Sequence, residues 1–146
     1  MKVTLNELYD MAAEDEIEVY PYKLPGRKAL SIWNQAENYT AIAINPENLE
    51  SITEERVLLA HEMGHCETLA FYNQYAAIEN IQKLERQADK WAIQHLVTVK
   101  ELQDLYQAGY TEYWQLAEQL ELPENFVRKA VTFYAGQYSN AGHVLF

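Results

Sequence analysis

The sequence has one cysteine, few glycines and prolines, and no long apolar run. The single cysteine, Cys66, excludes an internal disulfide, which is typical of a protein in a reducing compartment. No stretch approaches the roughly 20 apolar residues that a membrane-spanning helix needs. Acidic residues also interrupt the N-terminal segment, where a secretory signal would have its apolar part. We therefore expect a soluble, cytoplasmic protein that makes no contact with membranes.

Basic side chains are scarce as well. Lysine and arginine together number 11 against 22 acidic residues, which gives a net charge of −11. Because nucleic acid is a polyanion, we expect no direct nucleic-acid binding. The hydrophobic share of 49% over 146 residues is ordinary for a globular protein with one core. This composition predicts a single domain, residues 1–146.

The apolar pattern changes along the chain from strand-like to helical, which predicts an α+β fold. A short polar loop separates the second and third strand patterns and predicts a hairpin, so we expect a small, mostly antiparallel sheet within residues 1–50. Pro21 places the first strand at an edge, because proline has no N–H to donate. The elements predicted in this part are a helix near residues 3–13 and strands near 17–21, 29–33 and 39–45.

From Ser51 onward the pattern is helical. Thr53 is a candidate N-cap for a helix that runs through His65 to about Phe71. Further helices are predicted near residues 77–97, 99–108, 111–120 and 123–137. We assign residues 51–97 to metal-binding helices and residues 98–146 to a C-terminal helical segment.

The first of these helices contains the sequence LAHEMGH, in which His61, Glu62 and His65 form an H-E-x-x-H motif. Residues four apart project from the same face of a helix, so both imidazoles can bind one metal ion. Bound Zn²⁺ lowers the pKa of its water towards about 7, and Glu62 is placed to take the proton without being a ligand. The motif predicts a zinc hydrolase, whereas the alternative is a solvated helix with a chance match.

A third ligand is predicted in the following helix, LERQADKWA, where Glu85 and Asp89 lie one turn apart. The chain between the two helices is long enough to turn back, so Glu85 can complete a three-ligand site with an open fourth position. Asp89 would accept a hydrogen bond from the outer nitrogen of one histidine, with His61 favoured. The alternative is a solvent-exposed face paired with basic neighbours.

Small residues favour close contact between these two helices. Gly64 removes a side chain between the histidines, and Ala88 and Ala92 keep the facing surface thin. Cys66 adjoins the motif and is predicted to be a small buried residue. A hydrolytic site also needs a donor for the developing oxyanion, and four candidates remain open: Tyr72, Tyr75, His95 and His143.

The segment AIAINPENLESITEERVLLAHEMGHCETLAFYN, followed by LERQADKWAIQHL, resembles the ImmA/IrrE family of metallopeptidases. The similarity covers about residues 17–97. It implies one Zn²⁺ on His61, His65 and Glu85, with Glu62 as catalytic base and Asp89 as supporting carboxylate. It also implies an endopeptidase whose partner and substrate is a helix-turn-helix repressor of a phage or integrative element. The alternative is an anti-repressor that retains the metal fold and binds the repressor without hydrolysis.

Two further expectations concern surfaces. The strand at residues 39–45 is expected to offer an open edge beside the zinc, where an extended substrate adds a strand. The C-terminal segment 113–134 is similar to a helix-turn-helix, but the acidic balance of residues 111–129 favours packing or substrate docking over DNA binding.

Overall fold

The computed structural model describes residues 3–73 and 75–140. It confirms the α+β class. Within those ranges, one α-helix precedes three strands and five α-helices follow them. The chain divides into two compact units, an N-terminal unit Val3–Ala92 and a C-terminal unit that begins at Ile93. The single domain expected for residues 1–146 stays a prediction.

The first helix, α1, spans Leu5–Glu14, close to its predicted position. The hydroxyl of Thr4 accepts a hydrogen bond from the backbone N–H of Glu7, and the Glu7 carboxylate accepts one from the backbone N–H of Thr4. This reciprocal pair satisfies donors that a helix N-terminus leaves open, and it explains why the helix begins there.

The sheet contains β1 (Ile17–Pro21), β2 (Ala29–Asn34) and β3 (Tyr39–Ile44) in the order β1-β3-β2. The predicted hairpin is present, because β2 and β3 pair in antiparallel fashion. β1 pairs with β3 in parallel, so the sheet is mixed, with one pairing of each kind, and is not mostly antiparallel as predicted. The edge position predicted for β1 from Pro21 is confirmed.

The predicted open edge of β3 is wrong, because β3 is the central strand and has a partner on each side. Its last four residues, Ala41 to Ile44, are at most 4% exposed, so both faces of the strand are covered. Ala41 and Ala43 are as buried as Ile42 and Ile44, as expected of a strand that is covered on both faces and carries a continuous apolar run. The free edges of this sheet belong to β1 and β2.

After a short 3₁₀ turn at Pro46–Asn48, helix α2 spans Ile52–Thr68. Its N-cap is Ser51 and not Thr53, because the Ser51 hydroxyl accepts from the backbone N–H of Glu54 at 3.0 Å. The predicted end near Phe71 is also wrong. Leu69 takes a left-handed conformation with φ of 52°, which ends the helix three residues earlier.

Helix α3 spans Ile78–Leu96, and the boundary between the two units falls within it. The C-terminal unit continues with α4 (Val99–Gln107), α5 (Tyr113–Leu120) and α6 (Glu124–Asn140), near the predicted positions. In this unit the Tyr134 hydroxyl donates to the Val97 carbonyl at 2.6 Å. In the described ranges no helix has the length and apolar character needed to cross a membrane.

Candidate metal centre

The structure brings the three predicted ligands together in the N-terminal unit. His61 Nε2 lies 2.9 Å from Glu85 Oε2, and His65 Nε2 lies 3.0 Å from Glu85 Oε1. One ligand atom from each of the three residues falls within 4.8 Å of the others. Two imidazole nitrogens and a carboxylate oxygen at this separation can hold a metal ion, in agreement with the predicted metal site.

The outer nitrogens of both histidines are held by acceptors. His61 Nδ1 lies 2.8 Å from Asp89 Oδ1, the contact predicted for this carboxylate. His65 Nδ1 lies 2.6 Å from the carbonyl oxygen of Ala70, which can only accept. Protons on these Nδ1 atoms leave the lone pair of each neutral ring on Nε2, directed at the common point where a metal would bind.

The Ala70 contact had no signal in the sequence, because any residue offers a backbone carbonyl. It depends on the early end of α2. The left-handed Leu69 turns the chain back, and the Ala70 N–H donates to the His65 carbonyl at 3.0 Å. The same turn therefore ends the helix and places the acceptor for the His65 ring.

The approach of α3 to α2 depends on Gly64. A Cβ atom at this position would lie 2.6 Å from the carbonyl oxygen of Ala88, closer than non-bonded atoms allow. Ala88 and Ala92 are both fully buried. The predicted close contact of small residues is confirmed, and it brings Glu85 within reach of the two histidines.

The electrostatic environment of the cluster is strongly negative. Burial lowers the pKa of His61, but hydrogen bonds with Asp89 and Glu85 outweigh this and raise the pKa to about 10. The pKa of His65 is likewise raised, because the bonds to Glu85 and Ala70 overcome burial. Hydrogen bonds from His61 and His65 hold the pKa of Glu85 far below its usual range. A field that retains protons also attracts a divalent cation, which must displace those protons to bind.

Glu62 and the inner sides of His65 and Glu85 line a cavity of about 260 Å³, here called the metal cavity. Glu62 faces this space without belonging to the ligand cluster. That position agrees with the predicted base, which has to reach a reacting water without binding the metal itself. Leu30 and Ser31 of β2 line the same cavity, so an edge strand borders it.

Of the four predicted oxyanion donors, Tyr72 lines the metal cavity. Its hydroxyl donates to Glu85 Oε1 at 2.7 Å, and burial together with this bond raises the pKa of Tyr72 to about 12. The hydroxyl therefore keeps its proton at neutral pH. Tyr75 is 86% exposed and does not line the cavity. His95 belongs to the C-terminal unit, and His143 lies outside the described residues.

Several residues of the metal cavity escaped the sequence prediction. Phe71 packs its ring 6.4 Å from that of His65 and 5.5 Å from that of Trp33 in β2. Arg27 and Asn73 also line the space. These side chains come from segments without a motif, and only the folded chain places them near the histidines.

Cys66 is buried as predicted, and burial raises the pKa of its thiol to about 12.

Comparison with known proteins adds no identification. No protein-family model matches the chain, and no curated protein is significantly similar to it. The resemblance to the ImmA/IrrE family therefore stays a prediction that rests on the quoted residues.

Proposed function

We propose that the protein is a zinc-dependent endopeptidase. The observation that carries the proposal is the convergence of His61, His65 and Glu85 on one point, with Glu62 facing the same cavity. Two nitrogens and one carboxylate oxygen suit Zn²⁺, and such a set leaves a coordination position for chemistry. A binding protein would need the ligands but would have no use for a carboxylate beside them.

When bound, Zn²⁺ supplies Lewis acidity towards water and towards the carbonyl of the scissile bond. In the proposed reaction Glu62 accepts a proton as the water oxygen bonds to the carbonyl carbon. The C–N bond then breaks, and the proton passes from Glu62 to the leaving amine. The protonated hydroxyl of Tyr72 is the best-placed donor for the oxyanion that forms in between.

The edge of β2 supports a polypeptide substrate. β2 pairs with β3 along one side only, and its residues Leu30 and Ser31 line the metal cavity. An extended chain that adds to the outer edge of β2 would pass beside the metal ligands. This edge takes the role that the sequence assigned to the strand at residues 39–45. The choice of a helix-turn-helix repressor as substrate rests on the family resemblance alone.

The test compares wild type with Glu62→Gln, both loaded with zinc and incubated with the repressor encoded beside the protein. Glu79→Gln is the matched control, since it makes the same change on an exposed helical site of the same unit. We expect fragments from wild type and from the control. Glu62→Gln should lose about 10²- to 10⁴-fold in cleavage rate while it retains zinc.

The same experiment separates hydrolysis from sequestration. Mass spectrometry of the products identifies the scissile bond if cleavage occurs. If wild type and Glu62→Gln both inactivate the repressor and neither yields fragments, the endopeptidase proposal fails and the anti-repressor alternative replaces it.

A further inference from the structure

Arg27 is a cation at the rim of a cavity whose other charged residues are acidic or metal-binding. It is exposed, and it lines the metal cavity together with Glu62 and Glu85. Some other basic side chains at the surface form ion pairs, such as Lys23 with Glu47 and Arg128 with Glu124. Within the described ranges, no side chain forms a hydrogen bond or ion pair with the guanidinium of Arg27.

Two asparagine side chains hold the backbone at Arg27 in place through hydrogen bonds. Asn45, only 3% exposed, donates from Nδ2 to the carbonyl oxygens of Leu24 at 3.0 Å and of Arg27 at 3.4 Å. Asn48 Nδ2 donates to the Arg27 carbonyl at 3.2 Å. Gly26, with φ of 68°, allows the turn that precedes this point. The loop therefore presents Arg27 from a fixed backbone position.

We propose that Arg27 forms a carboxylate-binding subsite at the rim of the metal cavity, selective for substrates with a carboxylate near the scissile bond. Guanidinium is planar and offers paired N–H donors that match the two oxygens of a carboxylate. This subsite rests on the proposed function, because it assumes a peptide that reaches the metal ligands.

The net charge of −11 does not oppose this preference at short range. At physiological ionic strength, exposed charges separated by more than about 8 Å are largely screened. A substrate carboxylate beside Arg27 therefore interacts mainly with the charges that line the metal cavity: the guanidinium attracts it, Glu62 and Glu85 repel it, and the ion or protons held at the metal centre offset that repulsion. The carboxylate has two sources in a peptide, an Asp or Glu side chain or a free C-terminus.

The test measures the binding and cleavage of matched peptides. Each fluorescent peptide has an extended alanine–serine sequence, with either Glu or Gln at one position scanned along it and an amidated C-terminus. A further peptide carries Gln and a free C-terminal carboxylate. Dissociation constants are measured by anisotropy with zinc-loaded wild type, Arg27→Gln and Lys23→Gln, and cleavage is followed in parallel by mass spectrometry.

For wild type we expect the best Glu peptide to bind about 5-fold more tightly than its Gln partner, the size of an exposed ion pair. Arg27→Gln should make the Glu and Gln peptides bind equally. Lys23→Gln removes one positive charge from the same loop between β1 and β2, and it should preserve the wild-type ratio. A stronger preference for the free C-terminus would assign the subsite to a terminal carboxylate. Zinc content and circular dichroism should be unchanged, because Asn45 and Asn48 bind the backbone carbonyl of residue 27, which the substitution leaves in place.

The subsite proposal is overturned if no peptide binds, if the Glu-to-Gln ratio survives Arg27→Gln, or if Lys23→Gln removes it equally. A preference that depends on Arg27 without any cleavage would uphold the subsite and count against the endopeptidase proposal. The two failures are therefore distinguishable.

Discussion

The metal cavity has a larger neighbour within the N-terminal unit. This second space, here called the β1 cavity, measures about 380 Å³ against about 260 Å³ for the metal cavity. It is bordered by β1, α1 and the first turn of α2, with Tyr9, Tyr20, Glu50 and Glu55 among its lining residues. Both cavities thus contain tyrosine and glutamate side chains.

The two cavities differ in how their polar groups are used. In the β1 cavity the Tyr9 hydroxyl donates to Glu55 Oε1 at 2.6 Å, and burial with this bond raises the pKa of Tyr9. At the ligand cluster, of which His65 and Glu85 line the metal cavity, the Nε2 atoms of His61 and His65 converge on the carboxylate of Glu85. Across the described ranges this is the one cluster of histidine, cysteine and acidic side chains able to hold a metal. Convergence of ligand atoms, and not volume, distinguishes the candidate site.

The largest expected effect is on zinc affinity, when the Glu85 carboxylate that contacts both histidines is removed. Glu85→Ala should weaken zinc binding by more than about 100-fold, because loss of a ligand exceeds the 10- to 100-fold cost of losing its supporting residues. Glu50→Ala in the β1 cavity is the matched control and should retain wild-type affinity. Competition with a chromogenic chelator measures both. Equal affinity in the two variants would mean that Glu85 is not a ligand.

A methyl group added at Gly64, where α2 contacts α3, should disturb the metal site by pushing the two helices apart. Gly64→Ala gains about 1 kcal/mol in helix propensity, but the added carbon would meet the Ala88 carbonyl at 2.6 Å. A backbone oxygen cannot rotate away, and overpacking costs about 1–3 kcal/mol. We expect a lower free energy of unfolding together with weaker zinc binding.

Gly136→Ala in α6 is the control for this change, since a Cβ atom there would meet nothing within 4 Å. It should raise the free energy of unfolding by up to about 1 kcal/mol. Urea denaturation of both variants gives the comparison. If Gly64→Ala is as stable as Gly136→Ala and binds zinc normally, the close approach of the two helices is not needed for the site.

Loss of the carboxylate beside His61 should have a smaller effect. Asp89→Asn keeps the size of the side chain but removes the charge that orients the ring at 2.8 Å. We expect zinc affinity to fall by about 10- to 100-fold. In the presence of chelator the pKa of His61 should also fall, because the bond to Asp89 contributes to raising it. Histidine proton shifts measured by NMR follow that change, and an unaltered pKa would contradict it.

The smallest effect is expected in the β1 cavity. Tyr9→Phe removes the hydrogen bond to Glu55 and should lower the free energy of unfolding by about 1 kcal/mol. Zinc affinity should stay at the wild-type value, since the polar groups of this cavity bind one another. Chemical denaturation and chelator competition test the two parts separately. A large loss of zinc binding would show that the cavities are coupled.

The elements with local signals were predicted close to their observed positions. The helical spacing near residues 3–13, the proline that ends β1 and the spacing of His61 and His65 act over a few residues. The errors arose where neighbouring segments decide. Ser51 and Thr53 are both residues that can cap a helix, so the sequence alone did not decide between them. The helix ends at a left-handed leucine, Leu69, and not at the glycine that usually marks such an end. The central position of β3 depends on β1 pairing with it from far along the chain.

The sequence by itself determined the pair of histidines on one helical face, because residues four apart align on any α-helix. It also indicated the carboxylates that could join them. Only the tertiary structure decided that Glu85 meets both Nε2 atoms, that Ala70 orients His65, and that Arg27 reaches the rim. The physical reason is that helical spacing is a property of the local backbone. Distances between segments instead follow from packing, here from the contact between Gly64 and Ala88.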